Sequence, residues 1–187
     1  AQTVTPQGLL AVCRFVHVPL AEAVGPGARL VAVMAHVRDP GNAGTVLRTA
    51  DAAGADAVVF TDASVDPYNG KCVRAGAGSL FHLPVAIGVN VHDAVAHMRA
   101  AGLRVLAADG AGTTMLNDVD LSHPTAWIFG NEAWGLPDEV LALADEVVRV
   151  PIYGRAESLN LATAAAVCLY ASAQALRASP RAVASGG

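Results

Sequence analysis

The chain has 187 residues, 53% of them hydrophobic and 15% charged, which is room for one large domain and excludes a disordered chain. Twelve Lys+Arg stand against 16 Asp+Glu, only Lys71 is a lysine, and a net charge of −4 argues mildly against a free-standing nucleic-acid binder. The apolar residues are mostly Ala and Val in short runs broken by Gly, Asp or Pro. None approaches the roughly 20 uninterrupted apolar residues of a membrane-spanning helix, so no membrane partner is expected.

Residues 30–36 (LVAVMAH) read as a buried strand. Pro40 suits the first turn of a helix that Gly54 would stop, and residues 57–61 (AVVFT) form a second strand. A glycine-weakened helix is expected over 68–78, a short strand over 84–88 and a helix over 91–101. Strands at 104–108 and 126–129, a short helix at 137–144, a strand at 147–150 and a long Ala-rich helix at 159–176 complete the pattern. Strands apolar on both faces that alternate with helices imply an α/β fold, with a mostly parallel sheet and helices on both faces. The long helix is small and apolar all round, which predicts burial on every side. Cys13, Cys72 and Cys168 are widely spaced, odd in number and in no CxxC pair. They predict no disulfide framework and no metal site, but three buried small residues in a reducing, cytoplasmic compartment.

Ligands of such sheets sit beyond the carboxyl ends of the strands, which directs attention to residues 37–44, 62–69, 109–114, 130–136 and 151–160. The common signatures fail there. Gly110-x-Gly112 is followed by Met115 where a dinucleotide fingerprint needs glycine, and there is no GxxxxGK[ST], HExxH or GxSxG. That disfavours a generic Rossmann-type metabolic enzyme. His36, at a strand end, is the one histidine near this edge; it either touches a substrate or is an ordinary loop residue.

Three segments remain: DPGNAGTVLRTADAAGAD (39–56), IFGNEAWGL (128–136) and VPIYGRAESLNLATAAAVCLY (150–170). In this order and spacing the chain, from about residue 30 to 175, resembles the SpoU/TrmH family of RNA ribose 2′-O-methyltransferases, of the SPOUT superfamily. The resemblance implies a C-terminal trefoil knot, a homodimer, and methyl transfer from S-adenosyl-L-methionine to a ribose 2′-hydroxyl. It implies RNA as partner, rRNA (23S) ahead of tRNA, with a catalytically silent RNA-binding module as the alternative from another class. Residues 5–11 (TPQGLLA) resemble the junction to an N-terminal RNA-binding domain. The expected organisation is therefore a linker or domain end over 1–29, a catalytic domain over 30–178 and a disordered tail over 179–187.

Candidate catalytic residues by this resemblance are Asn42, Arg48, Glu132, Ser158 and Asn160. Arg48 lies in a mostly apolar helical stretch, on a face with Gly44, where a charge needs a partner: a salt bridge to Asp39 or Asp51, or a substrate. A guanidinium does not readily deprotonate, so phosphate anchoring and alkoxide stabilisation suit it better than general-base work. Glu132 either fixes its loop or places a carboxylate at the site, and Ser158 either caps the last helix or meets the substrate. Trp134 either stacks on a base or packs on its own loop. Cofactor contacts are expected from Ala108, Asp109, Gly130, Asn131, Val150, Ile152 and Leu159, with Gly130 admitting close backbone approach of the ligand. Arg38, Arg48, Arg149 and Arg155 all fall near the ligand edge, so positive charge is sparse but local.

Overall fold

The computed structural model describes Gly8 and residues 11–178; the tail expected over 179–187 and most of the 5–11 junction lie outside the described residues. The strands are β1 (Leu30–Met34), β2 (Ala57–Thr61), β3 (Val85–Val89), β4 (Arg104–Ala108), β5 (Thr114–Met115), β6 (Thr125–Phe129) and β7 (Glu146–Arg149). They form one sheet in the order β3-β2-β1-β6-β4-β7-β5, and each ladder is parallel. The helices are α1 (Leu20–Ala23), α2 (Pro40–Ala53), α3 (Gly70–Gly76), α4 (Val91–Ala100), α5 (Asp138–Leu141) and α6 (Leu161–Ala178).

Strands β1, β2 and β6 are buried at every position, as runs of Val, Ala, Ile and Phe require when both sheet faces are covered. Alternation along them divides the core. Leu30, Ala32, Met34, Trp127 and Phe129 pack under α2, α3 and α6, whereas Val31, Val33, Ala126 and Ile128 pack under α1, α4 and α5. The Trp127 indole is fully buried, and its N–H donates to Ser172 Oγ at 2.8 Å, which ties β6 to α6.

Helix α2 begins where Pro40 suits it, with Asp39 as N-cap accepting from the Asn42 N–H at 2.8 Å, and it ends at Gly54 in the left-handed conformation. Its buried stripe, Ala43, Val46, Leu47 and Ala50, faces the core. At Gly44 the backbone of α3 comes so close that a Cβ would collide with the Cys72 carbonyl and lie 2.7 Å from the Ala75 Cβ. Glycine is therefore a packing requirement for the α2–α3 pair.

Three expectations need correction. Strand β5 is absent from the sequence reading because two residues carry no periodicity; pairing to β7 creates it. Helix α6 starts at Leu161, not 159, and is not buried all round: Thr163, Val167, Tyr170 and Gln174 are exposed opposite a stripe of Ala165, Cys168, Leu169 and Ser172. Its 18 residues with mean hydropathy 1.2 would suit a membrane span by length and composition, yet the stripe packs on α2, β1 and β6 as a core helix does. Lastly, Cys13 is exposed. Cys72 and Cys168 are buried as expected, and burial pushes their thiols up to about 11 and about 12.

Gly44→Ala should force α2 and α3 apart. The expected cost is about 1–3 kcal/mol, read as a lower urea midpoint at unchanged slope.

Candidate active site

A cleft of about 660 Å³ opens at the carboxyl ends of β6, β4 and β7, the edge that parallel α/β sheets use for ligands. The end of β4 contributes Ala108 and Asp109. The loop after β6 contributes Gly130, Asn131, Glu132 and Trp134, and the chain leaving β7 contributes Val150, Ile152, Ser158 and Leu159. Nine of the twelve residues singled out in the sequence thus line one cavity. The other three are Asn42, Arg48 and Asn160.

Asn42 and Asn160 reach the site through side-chain bonds. Asn42 Nδ2 donates to Glu132 Oε1 at 3.2 Å, and Asn160 Nδ2 donates to Asn42 Oδ1 at 3.1 Å. Glu132 also accepts from the backbone N–H groups of Asp39 (3.2 Å) and Arg38 (3.4 Å). An exposed carboxylate is thereby held at the positive end of α2 by N–H donors, with no cation among its described partners. Both readings of Glu132 hold together: it fixes the loop, and the loop lines the cleft.

Arg48 does not join this group. Its side chain is exposed on the outer face of α2 with Thr45 and Ala52, while Gly44 is buried beneath α3. The two residues, four apart, border different environments, and the burial argument for Arg48 fails. Neither expected acid takes it: Asp39 pairs with Lys71 at 2.7 Å and Asp51 with His82 at 2.8 Å. The Lys71 hydrogen bond, followed by that from the Asn42 N–H, holds the Asp39 carboxyl below its ordinary 3.8.

The cap of α6 is Asn160, not Ser158. Asn160 Oδ1 accepts from the Ala162 N–H at 2.9 Å, a bond Ser158 is two residues too early to make. The Ser158 side chain is exposed in the cleft and has no hydrogen-bond partner among the described residues.

Several expected ligand contacts are occupied by the loops themselves. Asp109 accepts from the N–H groups of Ala111 (2.9 Å) and Leu136 (3.2 Å), so its carboxylate joins the β4 and β6 loops. Asn131 is 6% exposed. Its Nδ2 donates to the His36 carbonyl, and its Oδ1 accepts from the Ala133 N–H. His36 has φ of +61°, and its contribution to the site is this carbonyl rather than its ring. Gly130 lines the cleft, and a Cβ there would lie 2.6 Å from the Gly135 carbonyl, so glycine is needed for the loop to close on itself. Reciprocal Asn131–Gly135 backbone bonds of 2.8 and 3.0 Å close that loop. Trp134 is 62% exposed and lines the cleft, so its own loop does not bury it.

Of the remaining loops, 62–69 stays outside the cleft; the Val65 N–H and Ser64 Oγ instead brace the Val37 and Met34 carbonyls. Met115 and Glu157 line the cavity without having been singled out. Glu157 adjoins Ser158 in the third motif, which was a usable signal; Met115 depends on the β5–β7 pairing and had none. Arg149 lines the cleft, with Nε 3.1 Å from Met115 Sδ; Arg155 is exposed between the lining residues Ile152 and Glu157, and exposed Arg38 meets the site through its backbone N–H on Glu132.

A parallel sheet of this order, with a cleft at its carboxyl edge walled by the Asn131-Glu132 loop and the Ser158-Leu159 turn, is a ligand-binding α/β fold without a glycine-rich dinucleotide fingerprint. The chain belongs to the SpoU rRNA Methylase family, whose sequence model matches residues 29–170. It is 41% identical over 169 residues to the Bacillus subtilis (strain 168) 23S rRNA (guanosine(2553)-2′-O)-methyltransferase RlmP, covering 90% of this chain and 66% of that protein. It is 40% identical over 137 residues to the Streptomyces viridochromogenes 23S rRNA (uridine(2479)-2′-O)-methyltransferase, covering 70% of this chain and 47% of that one. An AdoMet-bound rRNA methyltransferase from Sinorhizobium meliloti superposes with a TM-score of 0.77 at 40% identity, covering 86% of this chain and 61% of that chain. The chain therefore spans less than two thirds of the length of these relatives.

Asn131→Ala strips partners from the His36 carbonyl and the Ala133 N–H. It should lower stability by about 1–3 kcal/mol, seen as a reduced melting temperature. Because the Asp39 pKa is depressed, its contribution is fully present above the ordinary value of 3.8 and lost as pH falls through the folded value. Asp39→Asn should therefore flatten the acid limb of the stability profile below about pH 4, by a small amount since the group is part-exposed.

Proposed function

We propose that this chain is the catalytic part of an S-adenosylmethionine-dependent RNA ribose 2′-O-methyltransferase acting on 23S rRNA. The observation that carries the reading is the bonded line Glu132–Asn42–Asn160, which joins the three motifs beside the unpartnered Ser158 hydroxyl. The activities of the relatives support rRNA over tRNA as substrate class, and intact Asn42, Arg48, Glu132, Ser158 and Asn160 disfavour a silent binding module.

The cleft suits the cofactor. Its volume lies in the range of small-molecule sites, and Val150, Ile152 and Leu159 offer an apolar bed with open backbone for an adenine ring. When bound, the cofactor supplies an electrophilic methyl group. Backbone of the 130–132 and 150–152 segments would orient it, and the side-chain bonds of Asp109 and Asn131 hold those loops in place. Ser158 is free to hydrogen-bond the ribose hydroxyl, and Glu132 keeps Asn42 and Asn160 aligned beside it. The Arg48 guanidinium would lower the charge cost of the developing alkoxide, the hydroxyl proton passing to water.

Arg48 is exposed, has no bonded acid among the described residues and does not line the cleft of its own chain. This supports a homodimer in which Arg48 of the partner subunit completes the site; exposed Val167 and Tyr170 on α6, which packs on α2, offer apolar surface for it. A trefoil knot over the second and third motifs belongs to the same reading. It is supported by the insertion of β7 between β4 and β5 before the chain returns as α6 onto α2 and β1. We further place a cytoplasmic catalytic domain at 30–178, with 1–29 as a linker or the end of an N-terminal RNA-binding domain, whose last helix, α1, packs on the sheet. The net charge of −4 supports RNA affinity residing largely in a further RNA-binding part.

Calorimetry should give a micromolar-range Kd for S-adenosylmethionine; absence of binding overturns the reading. Arg48→Ala should abolish methylation of unmodified 23S rRNA while keeping cofactor affinity within about threefold. Mixing the Arg48→Ala and Ser158→Ala chains should restore about a quarter of wild-type activity, the statistical share of intact sites in mixed dimers. No restoration means that Arg48 and Ser158 serve the same protomer's site.

A further inference from the structure

The two tryptophans of this chain occupy opposite environments. Trp127 is fully buried and its N–H is satisfied by Ser172. Trp134 is 62% exposed, belongs to neither hydrophobic cluster and lines the cleft. Other large apolar side chains of this chain are exposed too, but Trp134 is the aromatic residue among those lining the cleft, where a ligand can cover it.

The loop does not fold over to hide the ring. The Asn131–Gly135 backbone pair closes its base, Asn131 Oδ1 holds the Ala133 N–H, and Gly130 sits against the Gly135 carbonyl. Trp134 is therefore carried on a braced turn, two residues from Glu132. That places it within about 7 Å along the chain of the bonded line to Asn42 and Asn160. A ribose held between this line and Ser158 would carry its base one glycosidic bond away, in the cleft that Trp134 lines.

We infer that Trp134 is the stacking platform for the base of the nucleotide whose ribose enters the cleft. The substrate at that position is then an unpaired or extruded nucleotide, since a base stacked within a duplex has no free face to offer. Stacking on an indole accepts any base, so Trp134 selects for an unstacked nucleotide and leaves base identity to other contacts. The inference rests on the RNA methyltransferase reading and adds to it the residue that receives the base.

The test uses the full chain saturated with S-adenosylhomocysteine and two probes: a uridylate dodecamer, and a dodecamer of ribose phosphate lacking bases. The uridylate oligomer should quench the emission of the exposed Trp134, with Trp127 silent in the interior, and the base-free oligomer should not. Trp134→Ala should bind the uridylate oligomer about tenfold more weakly and the base-free oligomer as wild type does, with cofactor affinity unchanged. Trp134→Phe should recover most of the loss. Phe81→Ala, which removes an exposed ring at the opposite edge of the sheet, should behave as wild type. Equal weakening toward both oligomers overturns the proposal, as does a Trp134 that iodide cannot quench in the free protein, because another chain would then cover the ring. Preserved discrimination in a chain that binds no S-adenosylmethionine supports the stacking role while overturning methyl transfer, so the two failures remain separate.

Discussion

The site depends on one carboxylate held without a cation. Glu132 accepts from the N–H groups of Arg38 and Asp39 and from the Asn42 amide, all at the beginning of α2. These donors come from a segment 90 to 94 positions away in the sequence, so the bonds fasten the loop after β6 to the loop after β1. Asn42 passes the connection on to Asn160, whose own oxygen caps α6. One charge-assisted cluster thus sets the relative positions of β6, α2 and α6. The Asn131 bond to the His36 carbonyl and the packing of α2 on α6 hold the same loops from other sides.

Around that node the cleft is shaped mostly by backbone. Gly130 and Gly135 let the turn close on itself, Asn131 clamps it to the His36 carbonyl, and Asp109 binds the Leu136 N–H from the neighbouring strand. Polar side chains that look like ligand contacts in a motif are here the fasteners of a rigid wall. That division of labour leaves Ser158 and Trp134 as side chains turned into the cavity with little protein around them. A wall braced by its own hydrogen bonds is preorganised, so binding need not spend energy on ordering it.

Much of the architecture was legible in the sequence because its signals are local. The run AVVFT at 57–61 and the apolar residues at 104–108 carry strand propensity and burial in themselves, and both strands have those bounds. Pro40 and Gly54 bracket α2 through backbone preferences that need no tertiary context. Strand β5 was illegible because two residues gain their conformation only from β7. The exposed face of α6 was misread for a related reason: small apolar residues mark a helix that packs closely, but not on how many sides.

What the sequence determined by itself was the α/β class, the sheet edge where chemistry sits, and a motif set distinctive enough to indicate the family. Each depends on residue type and spacing along the chain. The roles within the motifs were decided only by the tertiary structure. Asn160 rather than Ser158 caps α6, Asp109 and Asn131 brace loops, Arg48 stands outside its own cleft, and Trp134 is left uncovered. The physical reason is that a polar group's role is set by which partner reaches it first. For these residues the partner comes from a distant strand or loop, which spacing along the chain does not encode.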